Sequence, residues 1–343
     1  MKPTDFSVSA QSGKPFTVLQ LTDMQVIDAS QQRRPDRLKP CEIEWWQPER
    51  VCVNCYDRIA STVEEAKPDL IIITGDIVYG EFDDKGTSLD GFISFMESLG
   101  IPWAPVFGNH DNESAIGVLE QCRRFEAAPH CLFSRGNVSG NCNYTVGIYD
   151  GEELSRVLYM TDSHGCGHTD DPAVCKRIGA APDQLDWIRE TAQRLASVCG
   201  HPVPGFFCCH IPTADFYNAI MAAGYQDAEQ MKEMGNFCIG APVPSCENVI
   251  PARSPGDSGC KNEVLHRHGD GPLAPLMKEC AIDGEFAGHW HRINLSVLYD
   301  GIRYTMGVKC GTYDYHAEGQ TGGTKITVMP DRKNFTVTPL YRH

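Results

Sequence analysis

The chain is short of positive charge, of long apolar runs and of any repeated pattern. Lys and Arg number 30 against 45 Asp and Glu, a formal balance of −15 over 343 residues. A nucleic-acid backbone needs a basic stripe on its partner, so no nucleic-acid partner is expected. Bound metals are the exception, since they supply positive charge that side chains do not. No stretch approaches the roughly 18 consecutive apolar residues of a membrane helix, and no membrane partner is expected. The longest runs resemble Leu70–Ile73. The opening segment, MKPTDFSVSAQSGKPF, lacks the apolar core of a signal peptide and reads as the start of a soluble protein.

What is present starts with a core. Hydrophobic residues make up 41% of the chain, which argues against wholesale disorder. With no linker-like boundary and no repeat, residues 1–343 read as one domain. There are 16 Cys and 12 His. An even cysteine count and the sequons at Asn137, Asn143 and Asn334 would suit a secreted glycoprotein. Scattered cysteines, with Cys208-Cys209 inside an apolar run, fit a reduced cytoplasmic interior better. Cys52-Val-Asn-Cys55 has no second pair at ribbon spacing, so a zinc ribbon is not expected.

Short apolar runs end abruptly in polar residues. Phe16–Leu21 stops at Thr22-Asp23, Leu70–Ile73 at Thr74-Gly75-Asp76, and Trp103–Phe107 at Gly108-Asn109-His110. Such runs fit strands buried on both faces. Helical spacing follows at Val51, Ile59, Val63 and Ala66 before the Lys67-Pro68 breaker, and again from Pro182-Asp183 through Leu185, Ile188, Ala192 and Leu195. Strands alternating with helices imply an α/β layered fold. Further strands are expected at Val157–Thr161, Gly205–Cys209 and Gly284–Ala287. After them come two antiparallel pairs: Leu295–Leu298 with Ile302–Met306 around Asp300-Gly301, and Thr324–Met329 with Phe335–Pro339. Residues 28–47 and 231–271 read as inserted loops over one rim.

The strand ends carry a consistent set: Asp23, Asp76, Asn109 with His110, His210, and His289 with His291. One Asp at a strand end is usually a turn former. Five such ends, with two carboxylates, an amide and several imidazoles, are harder to explain that way. Carboxylate oxygens with imidazole nitrogens suit zinc, manganese or iron. Ligands in open α/β sheets gather at this end of the strands.

The blocks Asp23-Met-Gln25, Gly75-Asp76, Gly108-Asn109-His110-Asp111, His210 and Gly288-His289-Trp290-His291 resemble the calcineurin-like metallophosphoesterases. Ala66-Lys-Pro-Asp-Leu70 and Phe107–Ser114 are similar to its single-domain branch related to purple acid phosphatases. The resemblance implies a four-layered α/β/β/α sandwich and a dinuclear metal centre. It would have Asp76 bridge both metals, Asp23 and His291 bind the first, and Asn109, His210 and His289 the second. Two cations about 3.5–4 Å apart would clamp one phosphate, and a hydroxide between them would attack phosphorus in line. His110 would stand near substrate as a non-ligand, stabilising charge or protonating the leaving oxygen. Asp111 would either orient His110 or hold the turn.

One block departs from the pattern. Most of the superfamily reads Asp-x-His where this chain has Gln25. Purple acid phosphatases replace that His by a Tyr in Gly-Asp-x-x-Tyr, and Gly75-Asp76-Ile-Val-Tyr79 places Tyr79 there. A phenolate ligand would favour iron at the first position. Otherwise Tyr79 packs beneath the loop and Gln25 lends its amide oxygen. Asp162-Ser-His164-Gly-Cys166-Gly-His168 reads as an active-site loop more readily than as a third metal site. His266 and His268 read as rim-loop residues, His316 as a residue near the site, and Trp45-Trp46 as a loop anchor.

The expected activity is metal-dependent hydrolysis of a phosphomonoester, on a small molecule or a phosphoprotein. A phosphodiesterase with the same metals, or a catalytically silent scaffold, are the alternatives.

Overall fold

Where an apolar run is continuous rather than alternating, both faces of the strand are covered, and the computed structural model shows how. It describes residues 2–28, 50–165, 174, 177–222, 272–291, 295–314, 316 and 319–342. Apart from Asp28, the inserted segments 28–47 and 231–271, with Trp45, Trp46, His266 and His268, lie outside the described residues. So do Cys166 and His168.

Seven strands form one mixed sheet: β1 (Phe6–Ala10), β5 (Tyr144–Asp150), β6 (Glu153–Met160), β7 (Gly205–Cys208), β8 (Ile282–Ala287), β10 (Ile302–Met306) and β9 (Leu295–Tyr299), in that order across it. Five form the other: β12 (Phe335–Arg342), β11 (Thr321–Val328), β2 (Phe16–Leu21), β3 (Leu70–Thr74) and β4 (Trp103–Val106). The chain is thus an α/β sandwich of two mixed sheets flanked by helices.

Side chains on β6 and β7 alternate between two cores. Leu158, Met160, Phe206 and Cys208 point to the layer between the sheets, among Val18, Ile72, Ala104 and Ile326. Val157, Tyr159, Phe207 and Cys209 point outward, among Ile188 and Leu195 of the helix Pro182–Cys199, Phe216 of Ala214–Ala222 and Met277 of Ala274–Glu279. The period of two in a strand is what separates the faces. On the five-stranded sheet, Cys55 and Ile59 of the helix Val51–Ala66, with Phe92 and Met96 of Thr87–Ser98, close the outer face. Ile71 is fully buried there, and truncating it to Ala would cost about 2–5 kcal/mol.

The helix Val51–Ala66 stops because Lys67 turns into the left-handed region at φ 48° and Pro68 cannot continue it. Pro182 opens the longer helix at its first position, and the Gln184 side chain accepts the Ala181 N–H at 2.6 Å. The hairpin at Asp300-Gly301 pairs Ile302 with Tyr299. Strands β1 and β5 and the helices Thr87–Ser98, Val118–Ala127, Ala214–Ala222 and Ala274–Glu279 are additions to the expected elements. β1 pairs along one side only, with β5, so its polar outer positions dilute the apolar signal.

This topology aims the site. β2, β3 and β4 are parallel neighbours in one sheet, and β6, β7, β8 and β10 are parallel neighbours in the other. Their carboxyl ends supply two facing half-rims.

Candidate metal centre

Beyond their strands, β2 and β3 continue as paired loops. Asp23 N–H donates to the Gly75 carbonyl at 3.0 Å, Gln25 to Asp76 at 2.9 Å and Val26 to Ile77 at 3.0 Å. Within these loops Asp23 (φ 53°), Gln25 (φ 47°) and Asp76 (φ 52°) take left-handed backbone, as does His289 (φ 78°) after β8. Such residues cost about 1–3 kcal/mol each and persist where neighbours over-determine them. Here the strain turns each side chain sharply off its strand end. Gly108 and Gly288 are required for a different reason: a Cβ at either would overlap the Asp76 carboxylate or Thr22 and Asp23.

The turned side chains converge. Asp23, Asp76 and His210 are fully buried, and one ligand atom from each lies within 4.8 Å of the others. His210 Nε2 stands 3.3 Å from Asp76 Oδ1 and 3.2 Å from Asn109 Oδ1. Its Nδ1–H donates to the Thr74 carbonyl at 2.7 Å, which leaves Nε2 to hold either a proton or a cation. Three acceptors facing one another repel unless a proton or a cation lies between them. Asp76 Oδ2 is buried with no hydrogen-bond partner. An orphaned carboxylate oxygen beside facing acceptors fits a metal ion.

The other strand ends complete the cluster. His291 Nε2 is 3.1 Å from Asp23 Oδ1, and its Nδ1 is 3.3 Å from Asp314 Oδ2. The His289 N–H donates to Asp23 Oδ2 at 3.1 Å, and its ring meets that of His210 edge-on at 5.2 Å. Asp23, Asp76, Asn109, His210, His289 and His291 therefore share one location.

Protonation follows from these contacts. Burial alone would raise both carboxyl groups, but His291 beside Asp23 holds it well below the usual range, and His210 holds Asp76 at about 2. Burial likewise opposes a charge on His210, yet Asp76 pushes it up to about 9. A cation would replace that proton.

His110 lies at the rim with a 16% exposed side chain. Its backbone N–H donates to Asp76 Oδ1 at 2.9 Å, and its Nδ1 bonds Glu113 Oε2 at 2.7 Å. Against the cost of burial, Glu113 and Asp76 push His110 up to about 10. Asp111 instead holds the turn, accepting from Val78 N–H at 2.9 Å and Gly108 N–H at 2.7 Å. Burial and the charge of Asp76 push it up to about 7. The partner of His110 is thus Glu113, three residues on in a short 3-10 turn, a spacing that puts both on one face.

The Tyr79 ring is buried, stacked on His110 at 4.3 Å and 20°, and edge-on to Tyr313 at 5.6 Å. Gln25 Oε1 receives a hydrogen bond from the buried Lys309 ammonium. Three residues that the strand-end pattern did not mark, Glu113, Lys309 and Asp314, therefore touch the cluster. The last two follow β10, which pairs with β9 as a hairpin but also runs parallel to β8. That second pairing puts its carboxyl end on the same rim.

The loop after β6 lies alongside. Asp162 uses both oxygens on backbone, from Asn141 and His164, each at 2.7 Å. Ser163 Oγ accepts from Ile211 N–H at 2.9 Å, and His164 Nδ1 bonds the Gly179 carbonyl at 3.1 Å. The Ser163 contact ties this loop to the segment that carries His210. His316 Nδ1 bonds the carbonyl of Asp314 at 2.9 Å. Asn143, at one of the sequons, is buried and accepts from Gln184 Nε2 at 2.6 Å, so it is a structural residue. The ten described cysteines are free thiols, and Cys55 and Cys310 lie in contact.

Comparison with known proteins follows the same outline. The calcineurin-like phosphoesterase profile matches residues 16–292. The Arabidopsis thaliana protein named "probable inactive purple acid phosphatase 14" is 36% identical over 331 residues, covering 90% of this chain and 72% of its own length. Phosphatase DCR2 of Saccharomyces cerevisiae is 28% identical over 252 residues, covering 68% of this chain and 37% of its own. Among solved structures, the purple acid phosphatase PPD1 from yellow lupin seeds is similar in fold, with a TM-score of 0.50 at 15% identity. That likeness covers 96% of this chain and 52% of the lupin chain. The profile spans most of the chain and every strand end from Asp23 to His291, so this chain belongs to the calcineurin-like phosphoesterase family.

Proposed function

We propose that the chain is a dinuclear metal-dependent phosphomonoesterase. The observation that carries this reading is that Asn109 Oδ1 and Asp76 Oδ1 each lie within 3.3 Å of His210 Nε2, beside an orphaned Asp76 Oδ2. Asp76 would serve both cations, Asp23 and His291 the first, and Asn109, His210 and His289 the second. Two cations, when bound, supply Lewis-acid charge to a phosphoryl group and lower the pKa of water.

The chain's own groups do the rest. His110 is held by Glu113 through Nδ1, which leaves its Nε2–H to donate to an equatorial oxygen or to the departing alkoxide. Thr74 fixes the tautomer of His210, and Asp314 sets its charge 3.3 Å from Nδ1 of His291. Hydrolysis then adds water across the P–O ester bond, releasing phosphate and an alcohol. Tyr79 completes the first position as a phenolate if iron occupies it. A visible charge-transfer band in the iron-loaded protein, lost in Tyr79→Phe, is the expected sign, and a colourless iron-loaded protein rejects the phenolate.

The test of the activity compares an aryl monophosphate with its bis-aryl diester on the metal-loaded protein. The expected result is a kcat/KM higher for the monoester by about tenfold or more. The reverse preference makes the chain a phosphodiesterase. The name of the Arabidopsis relative supports a silent scaffold as a second reading. Turnover of neither ester with two ions bound per chain would establish it.

A further inference from the structure

Lys309 carries an ammonium, a charge that opposes a cation, into the cluster. It follows β10 and is fixed there by backbone: Thr22 and Lys309 form a parallel bridge, Cys310 N–H donates to the Thr22 carbonyl at 2.9 Å, and Gly311 N–H donates to Asp23 at 3.0 Å. The residue is only 2% exposed. Its ammonium donates to the Asp23 carbonyl at 3.1 Å and to Gln25 Oε1.

Gln25 occupies the position at which the Asp-x-His block would offer an imidazole. Its amide oxygen is turned to Lys309. Its amide nitrogen is buried without a partner, and as a donor it cannot ligate a cation. Burial pulls the Lys309 ammonium below the usual lysine range, and the carboxylates that oppose that shift are Asp23, Asp314 and Asp76. Two of these are the acids a metal would use. The third orients His291.

Resting on the metal reading above, we propose that Lys309 is a built-in counter-charge. It ties the Asp23 carbonyl to the Gln25 amide in the metal-free first position, and it lowers that position's affinity for a cation relative to the second. The consequence is a centre of unequal halves: the side of Asn109, His210 and His289 fills first, and the side of Asp23 and His291 fills only at higher metal concentration. Lys309 acts through its neighbours, as a positioning residue.

Calorimetric titration of the metal-stripped full chain with zinc alone, with no substrate, tests this. The wild type should show two binding events whose Kd values differ by about tenfold or more. Lys309→Met and Lys309→Gln, which remove the charge, should each tighten the weaker event by about tenfold and leave the stronger within about twofold. Lys309→Arg, which keeps the charge, should leave both events in place. Thermal melting gives a second readout: the neutral variants should melt lower without zinc and gain more from zinc than the wild type. Lys309→Gln keeps a donor for the Asp23 carbonyl, so it serves if Lys309→Met fails to fold. Two zinc events with a weaker Kd unchanged or loosened in the neutral variants would overturn the role of Lys309 and leave the metal reading intact. No zinc binding by the wild type would overturn both.

Discussion

The two halves of the proposed centre are built differently. Around His210, main chain does the aiming: its Nδ1 rests on the Thr74 carbonyl, and Asn109 faces it from a strand end of the opposite sheet. Around Asp23, charged groups hold one another: Asp23 with His291, His291 with Asp314, and Lys309 with the loop of Asp23 and Gln25. A ligand oriented by backbone is as rigid as its sheet. A ligand oriented by other charges depends on all of them being in their stated protonation states. The second arrangement is therefore the more adjustable.

Perturbations of the centre test that contrast. Asp76→Asn removes the carboxylate proposed to serve both halves. It should abolish binding at both positions and lower kcat/KM by about a thousandfold or more, checked by metal analysis beside the rate assay. His110→Ala touches neither half as a ligand. It should lower kcat by about a hundredfold or more while metal content holds, and loss of metal would show that His110 is assigned wrongly. Asp314→Asn strikes only the charged half. It should weaken zinc binding there by about 10–100-fold and spare the other event, which competition with a chromophoric chelator would resolve.

The smallest expected effect is a pH effect. In the metal-free protein Glu113 and Asp76 raise His110 from 6.5 to about 10, against the opposing cost of burial. A raised folded value means that the resulting stability is fully present below about pH 6.5 and fades as pH rises through about 10. Glu113→Gln should shift the alkaline limb of kcat/KM to lower pH. It should also be less stable than wild type at pH 6 by denaturant titration, with the gap closing by pH 11. An unchanged gap at both pH values would mean that Glu113 acts through packing alone.

Legibility in the sequence followed the same division. The strand ends at Asp23, Asp76, Asn109 and His210 could be read because each follows a doubly buried apolar run, whose stop is abrupt. Glu113 was within reach, since it stands three residues from His110 in a short turn. Lys309 and Asp314 were not, because Ile302–Met306 reads locally as half of a hairpin. Only its other edge, parallel to β8, brings its end to the rim.

Period and punctuation in the sequence determined the main strands, the two clearest helices and the family's ordered ligand blocks, because those depend on neighbours a few residues apart. The tertiary structure decided which charges meet. Lys309 and Gln25 are separated by 284 positions, yet they share a hydrogen bond. Burial then makes that pairing strong, by removing the water that would otherwise screen it.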